Sequence, residues 1–465
     1  MSSVNFGSHF NRKQGIREFL PPFLGLSRNF AYLCGRKDRL LMRKIFIIAV
    51  CLCAMAGGLQ AGNRQKGLKP NEMAEARTRV WAAWCREQAE HDRQDGLAAL
   101  GFPSLAEPAL TRWQLPDSLE PKAVMPFYSG TKGERPAEGY PLFIYQHGSG
   151  PKDIEWANGL RLAQGFEDSP SAYVIPQIPN EGKYYRWWQQ SKQWAWDRLF
   201  RQMLVHPDIN PARIYLFGIS EGGYGSQRLA SFYADYLAAA APMAGGEPLR
   251  NAPAENLSHL PFSLVTGEQD AMFYRNRLTL RTGERLDSLA REYPGEFPHR
   301  VELEAGRGHG ITYGVSTPWM SRYTREAQPR HFRWENYEMD GLRRNAFYNL
   351  QVLTDDTLRY DYEFRVEDNT VWLDVRQVEY TITERDPNWG IELDNTRSYQ
   401  PRSHGQVRIW LSEELVDLER KVTVVLNGRR LGAYRLKPDE SDLRASCRLF
   451  GDPLRLFPAH LDVEW

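Results

Sequence analysis

Cysteine is scarce in this 465-residue chain: there are five, and three of them (Cys34, Cys51 and Cys53) fall in the first 61 residues. The two that remain, Cys85 and Cys447, could bridge in an oxidising compartment. One sits on an expected helix near the start and the other in an expected β region near the end, so no disulfide scaffold is implied. An excess of one charge is also missing: 59 Lys and Arg face 58 Asp and Glu. That balance excludes a strongly basic nucleic-acid binder as the default reading. The apolar run Ile45 to Ala56 falls short of the ~20 residues that a membrane-spanning helix needs. No metal-ligand spacing, phosphate-cradling glycine loop, internal repeat or low-complexity tract occurs, so neither metal nor cofactor is expected.

What is present begins with an address. Met42-Arg-Lys, the apolar run and the small residues Gly57, Gly58 and Ala61 read as a secretory signal over 42–61, cleaved after Ala61. Residues 1–41 then read as an upstream extension. Val50 and Leu52 precede the two cysteines where a lipidation site would want a small residue. Without residues 1–61 the chain carries 50 basic and 56 acidic residues, a net charge of −6. The expectation is an exported protein, periplasmic or extracellular, with no stable membrane span after cleavage.

Along the remainder, 62–120 reads as an N-terminal helical segment, with a helix over 70–94 whose apolar face carries Val80, Trp81, Trp84 and Cys85. Over 121–329, short apolar strands (Val124–Tyr128, Pro141–Gln146, Ala172–Pro176, Ile214–Gly218, Ala238–Pro242, Phe262–Thr266, Arg300–Glu304) alternate with helices, the pattern of a mostly parallel sheet with crossover helices. After about 330 the helical signal stops. Alternating strands and the hairpin pair Asn427-Gly428 make 330–465 an antiparallel β-sandwich module.

Gly218-Ile-Ser220-Glu-Gly222 follows the strand Ile214–Phe217 and opens a helix. A strand, sharp turn and helix around Gly-x-Ser-x-Gly is the setting of a nucleophile elbow, where a strained serine needs small neighbours. A serine hydroxyl needs a base, and the base needs an orienting group. His309, in Gly306-Arg-Gly-His-Gly, follows the last α/β strand, whereas His206, His259 and His299 precede strands. Asp270 follows the strand Phe262–Val265, with Glu268 and Glu247 as rival acids. The order Ser220, Asp270, His309 is that of the α/β-hydrolase fold. His147-Gly148-Ser149-Gly150 follows the first buried strand and suits an oxyanion hole, with the N–H of Glu221 as one donor and Gly148 or Ser149 as the other. Tyr184, Tyr185, Trp187 and Trp188 leave the sheet on the same edge and are candidate substrate contacts, while Trp194 and Trp196 read as the start of an amphipathic helix.

Residues 120–320 resemble α/β-hydrolase serine esterases of the feruloyl esterase, acetyl-xylan esterase and polyhydroxybutyrate-depolymerase-like group. The likeness rests on His147-Gly148, the segment Asp208 to Gly225 with its elbow, the Gly267…Asp270 turn and Gly308-His309-Gly310. It implies a serine hydrolase acting through an acyl-enzyme, with acyl esters on glycans or small molecules as substrates. A peptidase using the same triad is the nearest alternative, and a non-catalytic binding protein a further one. Glu221 departs from the group's pattern, where an uncharged residue such as methionine is common; a carboxylate there should disfavour anionic substrates or raise a neighbouring pKa. The β module would bind carbohydrate, cover the site or stabilise the fold.

Overall fold

The computed structural model describes residues 67–354, 357–401 and 404–465; the expected signal at 42–61 and the extension 1–41 lie outside the described residues. The strands that read as continuous apolar runs form the centre of an eight-stranded sheet. In chain order they are β1 (Ala109–Gln114), β2 (Val124–Lys132), β3 (Tyr140–Gln146), β4 (Ser171–Pro176), β5 (Ile209–Ile219), β6 (Ala239–Met243), β7 (Phe262–Gly267) and β8 (His299–Glu304). Their spatial order is β1-β2-β4-β3-β5-β6-β7-β8. β2 runs antiparallel to both its neighbours, and β3 to β8 are parallel. Every residue of β3, β4, β6 and β7 is buried. Helices cover both faces, which is why these strands carry no polar side. This strand order, with one reversed strand next to the edge, is the α/β-hydrolase fold.

The crossover helices are α2 (Lys152–Gly165), α3 (Gln190–Val205), α4 (Glu221–Phe232) and α5 (Arg275–Glu292); α1 (Met73–Gln94) precedes the sheet. Two parts of the segment 62–120 differ from its reading as a helical unit on the hydrolase domain. Ala109–Gln114 is the edge strand β1. α1 packs Ala76, Val80 and Trp84 against Leu443, Cys447 and Leu456 of the C-terminal region, with Val205 of α3 alongside. Among the described residues no helix is long and apolar enough to cross a membrane.

The C-terminal region is built mainly from antiparallel strands in a six-stranded and a four-stranded sheet; one pair, Thr370–Leu373 with Thr423–Leu426, is parallel. The sheets meet face to face, with Trp334 of the larger stacked on Phe347 of the smaller at 5.4 Å between ring centroids. Asn427 and Gly428 both take positive φ (47° and 74°), as the hairpin turn requires. The expectation that helix ends after 330 is corrected by Glu440–Phe450, which carries Cys447. Asp439 caps its start by accepting the N–H of Asp442, and Gly451 closes it at φ 59°. Both cysteines are free thiols.

The described residues form one compact unit. A single apolar core runs from Leu142 and Ile144 of the first sheet through Phe232 to Phe332, Trp334 and Ile409 of the C-terminal sheets. Buried charge crosses the same boundary. Asp235 takes Arg344 and Arg455, while Asp452 takes Arg325 and Arg455, and all five side chains are largely or wholly buried. Deleting one partner of such a set leaves an uncompensated charge out of water. Arg455→Ala should therefore cost about 3–5 kcal/mol in urea unfolding, with both regions still melting in one transition. Two separate transitions in the unmutated protein would show that the boundary does not couple them.

Candidate active site

β5 ends at Ile219 and α4 begins at Glu221, so Ser220 alone makes the corner. Its φ is 59° and ψ −114°, a conformation that costs an ordinary side chain about 1–3 kcal/mol. Two backbone hydrogen bonds hold it: the Ser220 N–H donates to the Met243 carbonyl (3.0 Å), and the Tyr224 N–H to the Ser220 carbonyl (3.0 Å). Glycines let the corner press against β3. A Cβ on Gly222 would stand 1.9 Å from the Gln146 carbonyl oxygen, and one on Gly218 2.3 Å from that of Gly222.

The loops after β7 and β8 bring the other two residues to this corner. His309 Nε2 lies 2.9 Å from Ser220 Oγ, and His309 Nδ1 2.7 Å from Asp270 Oδ2. Asp270 is 4% exposed. The two loops also clasp each other through backbone: the Gln269 N–H donates to the Arg307 carbonyl at 2.8 Å. A Cβ on Gly267 would meet the Gly308 carbonyl at 1.9 Å. The rival acids have other work. Glu247 forms a two-pronged ion pair with Arg228 (2.7 and 2.9 Å). Glu268 accepts the Gly306 N–H at 2.8 Å, steadying the histidine loop.

Arg275 is the residue that sequence reasoning missed. Its guanidinium grips both oxygens of Asp270 (2.8 and 2.5 Å). Burial pushes the Asp270 pKa up, but the hydrogen bonds and charge of Arg275 and His309 outweigh it and hold the carboxyl below its ordinary range. The carboxylate therefore stays ionised against the imidazole.

His147 is fully buried and builds the segment 147–150. Its Nε2 accepts the Ile178 N–H (3.1 Å), so Nδ1 carries the proton and donates to the Gly148 carbonyl (2.8 Å). Burial lowers its pKa to about 4, which keeps the ring neutral. Tyr185 Oη donates to the carbonyls of Gly148 (2.8 Å) and Gly150 (3.0 Å). Trp187 Nε1 donates to the His147 carbonyl at 3.0 Å. The N–H groups of Gly148, Ser149 and Glu221 take no acceptor among the described residues. Gly148 is packed against Ser220, its notional Cβ 3.4 Å from the serine Cβ.

Two of the four expected substrate contacts are thereby corrected. Tyr185 and Trp187 are 7% and 0% exposed, and their polar atoms are spent on the backbone of 147–150, so they brace the segment from beneath. Trp187 fills the space that a side chain at Gly225 would need. The ammonium groups of Lys183 and Lys192 both lie over the Tyr184 ring, 4.9 and 5.7 Å from its centroid. Trp188 does face a cavity of about 440 Å³, together with Glu221 and Tyr224. Trp196 is buried on α3, and Trp194 is stacked under Arg198. Among the described residues no cluster of three or more His, Cys, Asp or Glu could hold a metal ion.

No protein-family model matches the chain, and none of the curated proteins does. Solved structures similar to it include a thermostable esterase at 20% identity and TM-score 0.36, covering 48% of this chain and 64% of that one, which is just under two thirds of its length. An S-formylglutathione hydrolase from Staphylococcus aureus matches at 12% identity and TM-score 0.34 over 46% of this chain and 98% of its own. A poly(3-hydroxybutyrate) depolymerase from Bordetella parapertussis matches at 15% and 0.33 over 46% and 87%. These similarities are distant, and the fold assignment rests on the strand order and the elbow.

Glu221, beside Ser220, is 7% exposed. Burial pushes its pKa from 4.5 up to about 7, opposed by Arg186, whose guanidinium lies 3.4 Å away. The folded protein thus holds this proton more tightly than the unfolded chain. Its stabilising contribution is complete below the unfolded pKa, is lost as pH rises through the folded one, and is gone above about 7. Glu221→Gln removes the penalty. The unfolding free-energy advantage of E221Q over the parent, read from urea titrations, should be near zero at pH 4.5 and grow to a value on the order of 3 kcal/mol by pH 8. An advantage independent of pH would contradict this.

Proposed function

We propose that this chain is an exported serine hydrolase that cleaves carboxylic esters through Ser220, His309 and Asp270, with acyl esters on glycans as its substrate class. The observation that carries the reading is the unbroken hydrogen-bond chain from buried Asp270 through His309 to Ser220 at a strained strand-to-helix corner. In this reading Ser220 Oγ attacks the ester carbonyl while His309 Nε2 takes its proton. The C–O bond of the tetrahedral intermediate then breaks, and His309 returns the proton to the departing alcohol. A water molecule attacks the acyl-serine by the same route and frees the carboxylic acid. Asp270 keeps the Nδ1 proton in place and stabilises the imidazolium.

The developing oxyanion would be met by the N–H of Glu221 and a second N–H from 148–149. Because His147 and Tyr185 hold the Gly148 carbonyl, the N–H of Ser149, on the other side of the same trans peptide, points away from them. That supports Ser149 as the second donor. Export is supported by the leader at 42–61, and a glycan substrate by Trp188 in the cavity beside Glu221.

Kinetics on p-nitrophenyl acetate, methyl ferulate and short peptide anilides tests the assignment. Both esters should be cleaved faster than the anilides. Ser220→Ala and His309→Ala should lower kcat/KM by about 10³–10⁶ with melting temperatures near that of the parent, and Asp270→Asn should lower it by about 10²–10⁴ with a lower melting temperature, because buried Arg275 loses its counter-charge. Preference for the anilides would make the protein a peptidase, and full activity in S220A would end the serine mechanism.

A further inference from the structure

The cavity beside Glu221 is not closed by the α/β domain alone. Its outer wall is the turn between two long strands of the C-terminal region, Thr370–Arg385 and Glu392–Pro401. The turn is rigid. The Asp386 carboxylate accepts the N–H groups of Asn388 and Trp389, the Asp386 N–H donates to the Ile391 carbonyl (2.8 Å), and Gly390 turns at φ 67°. At its tip Trp389 is 67% exposed, the most exposed large hydrophobic side chain among the described residues.

An exposed indole on a fixed turn calls for a reason, and the segment that meets it supplies one. Phe273 and Tyr274, between Asp270 and its arginine, are two consecutive left-handed residues (φ 54° and 60°). Bulky residues keep that strain only where their surroundings hold them. Here the surroundings are the turn: Trp389 meets the Phe273 ring edge-to-face at 5.0 Å, and Tyr274 Oη donates to Asp386 at 2.9 Å. The ion pair of Arg277 with Glu384 fastens the same contact. The strained step after the acid thus fixes the C-terminal turn over the cavity.

From these contacts we infer that Trp389 is a specificity-determining residue contributed by the C-terminal region, a platform for a sugar ring in the alcohol part of the ester. This rests on the function proposed above. The polar lining of the cavity suits a polyol. Arg228 lies over the Trp188 ring at 4.0 Å and is paired with Glu247, Arg250 is paired with Glu392 and Arg186 with Glu221, and Arg385 donates to the Gly390 carbonyl. These groups supply donors and acceptors for the hydroxyl groups of a sugar. An open indole offers the apolar face of a pyranose a flat partner, whereas an aryl acyl group would want an enclosed apolar slot.

The test compares acetylated xylotriose with p-nitrophenyl acetate. Trp389→Ala should lower the ratio of their kcat/KM values about tenfold, the worth of one aromatic contact, and Trp389→Phe should restore part of it. An unchanged ratio in W389A, with both substrates affected alike or not at all, overturns the inference. A parent enzyme that cleaves neither ester refutes the proposed function instead. Xylotriose binding to the Ser220→Ala protein, followed by tryptophan fluorescence, still reads the platform in that case. Weakening by about tenfold on adding W389A supports it, and an unchanged Kd overturns it.

Discussion

Everything at the active edge depends on holding one serine where a side chain does not want to be. Ser220 sits at positive φ between a strand and a helix, and the strain persists only because its neighbours leave no alternative. Gly222 lies against the Gln146 carbonyl, and Met243 takes the Ser220 N–H. β3, β5 and β6 must therefore lie in fixed register before the corner can form. That explains why these strands are buried where they approach the elbow. It also explains why the segment 147–150 has aromatic bracing below it: Tyr185 and Trp187 fix the strand end on which the corner rests.

The C-terminal region is bound into this arrangement and is more than an appendage. An apolar core crosses the boundary, and with it run buried ion pairs on Asp235 and Asp452. Such pairs add little over well-packed apolar groups, but a misdocked partner strands a charge, so they fix how the two regions meet. The consequence reaches the candidate active site. The turn 386–391 holds Phe273 and Tyr274, which lie between Asp270 and Arg275, so the geometry of Asp270 depends in part on strands more than a hundred residues away.

Most of the α/β region was legible because buried parallel strands are written as unbroken apolar runs, and because the elbow and its partners occur at strand ends in a fixed order. Asn427-Gly428 was legible for a local reason, two positive φ angles in a row. β1 was not: Ala109–Gln114 is a half-buried edge strand carrying an arginine and a glutamine, and its pairing with β2 is what makes it a strand. The helix Glu440–Phe450 left signals that went unread, a capping Asp439 and the terminating Gly451. Composition could not separate Trp188 from Trp187, since both are aromatics in one short segment; the missing side chain at Gly225 decides which is buried. Arg275 was invisible because it reaches Asp270 only through the left-handed step at 273–274. Trp389 and Asp386 were invisible because a turn distant in sequence gives no sign of what it covers.

The central claim is that Ser220 is the nucleophile and that the backbone beside it receives the negative charge. The most direct measurement is a crystal structure of the protein after reaction with an alkyl fluorophosphonate. The account predicts phosphorus bonded to Ser220 Oγ, with the phosphoryl oxygen about 3 Å from the N–H of Glu221 and from a second N–H in 148–149. Label on another residue, no label on the folded protein, or a phosphoryl oxygen turned away from both donors would contradict it.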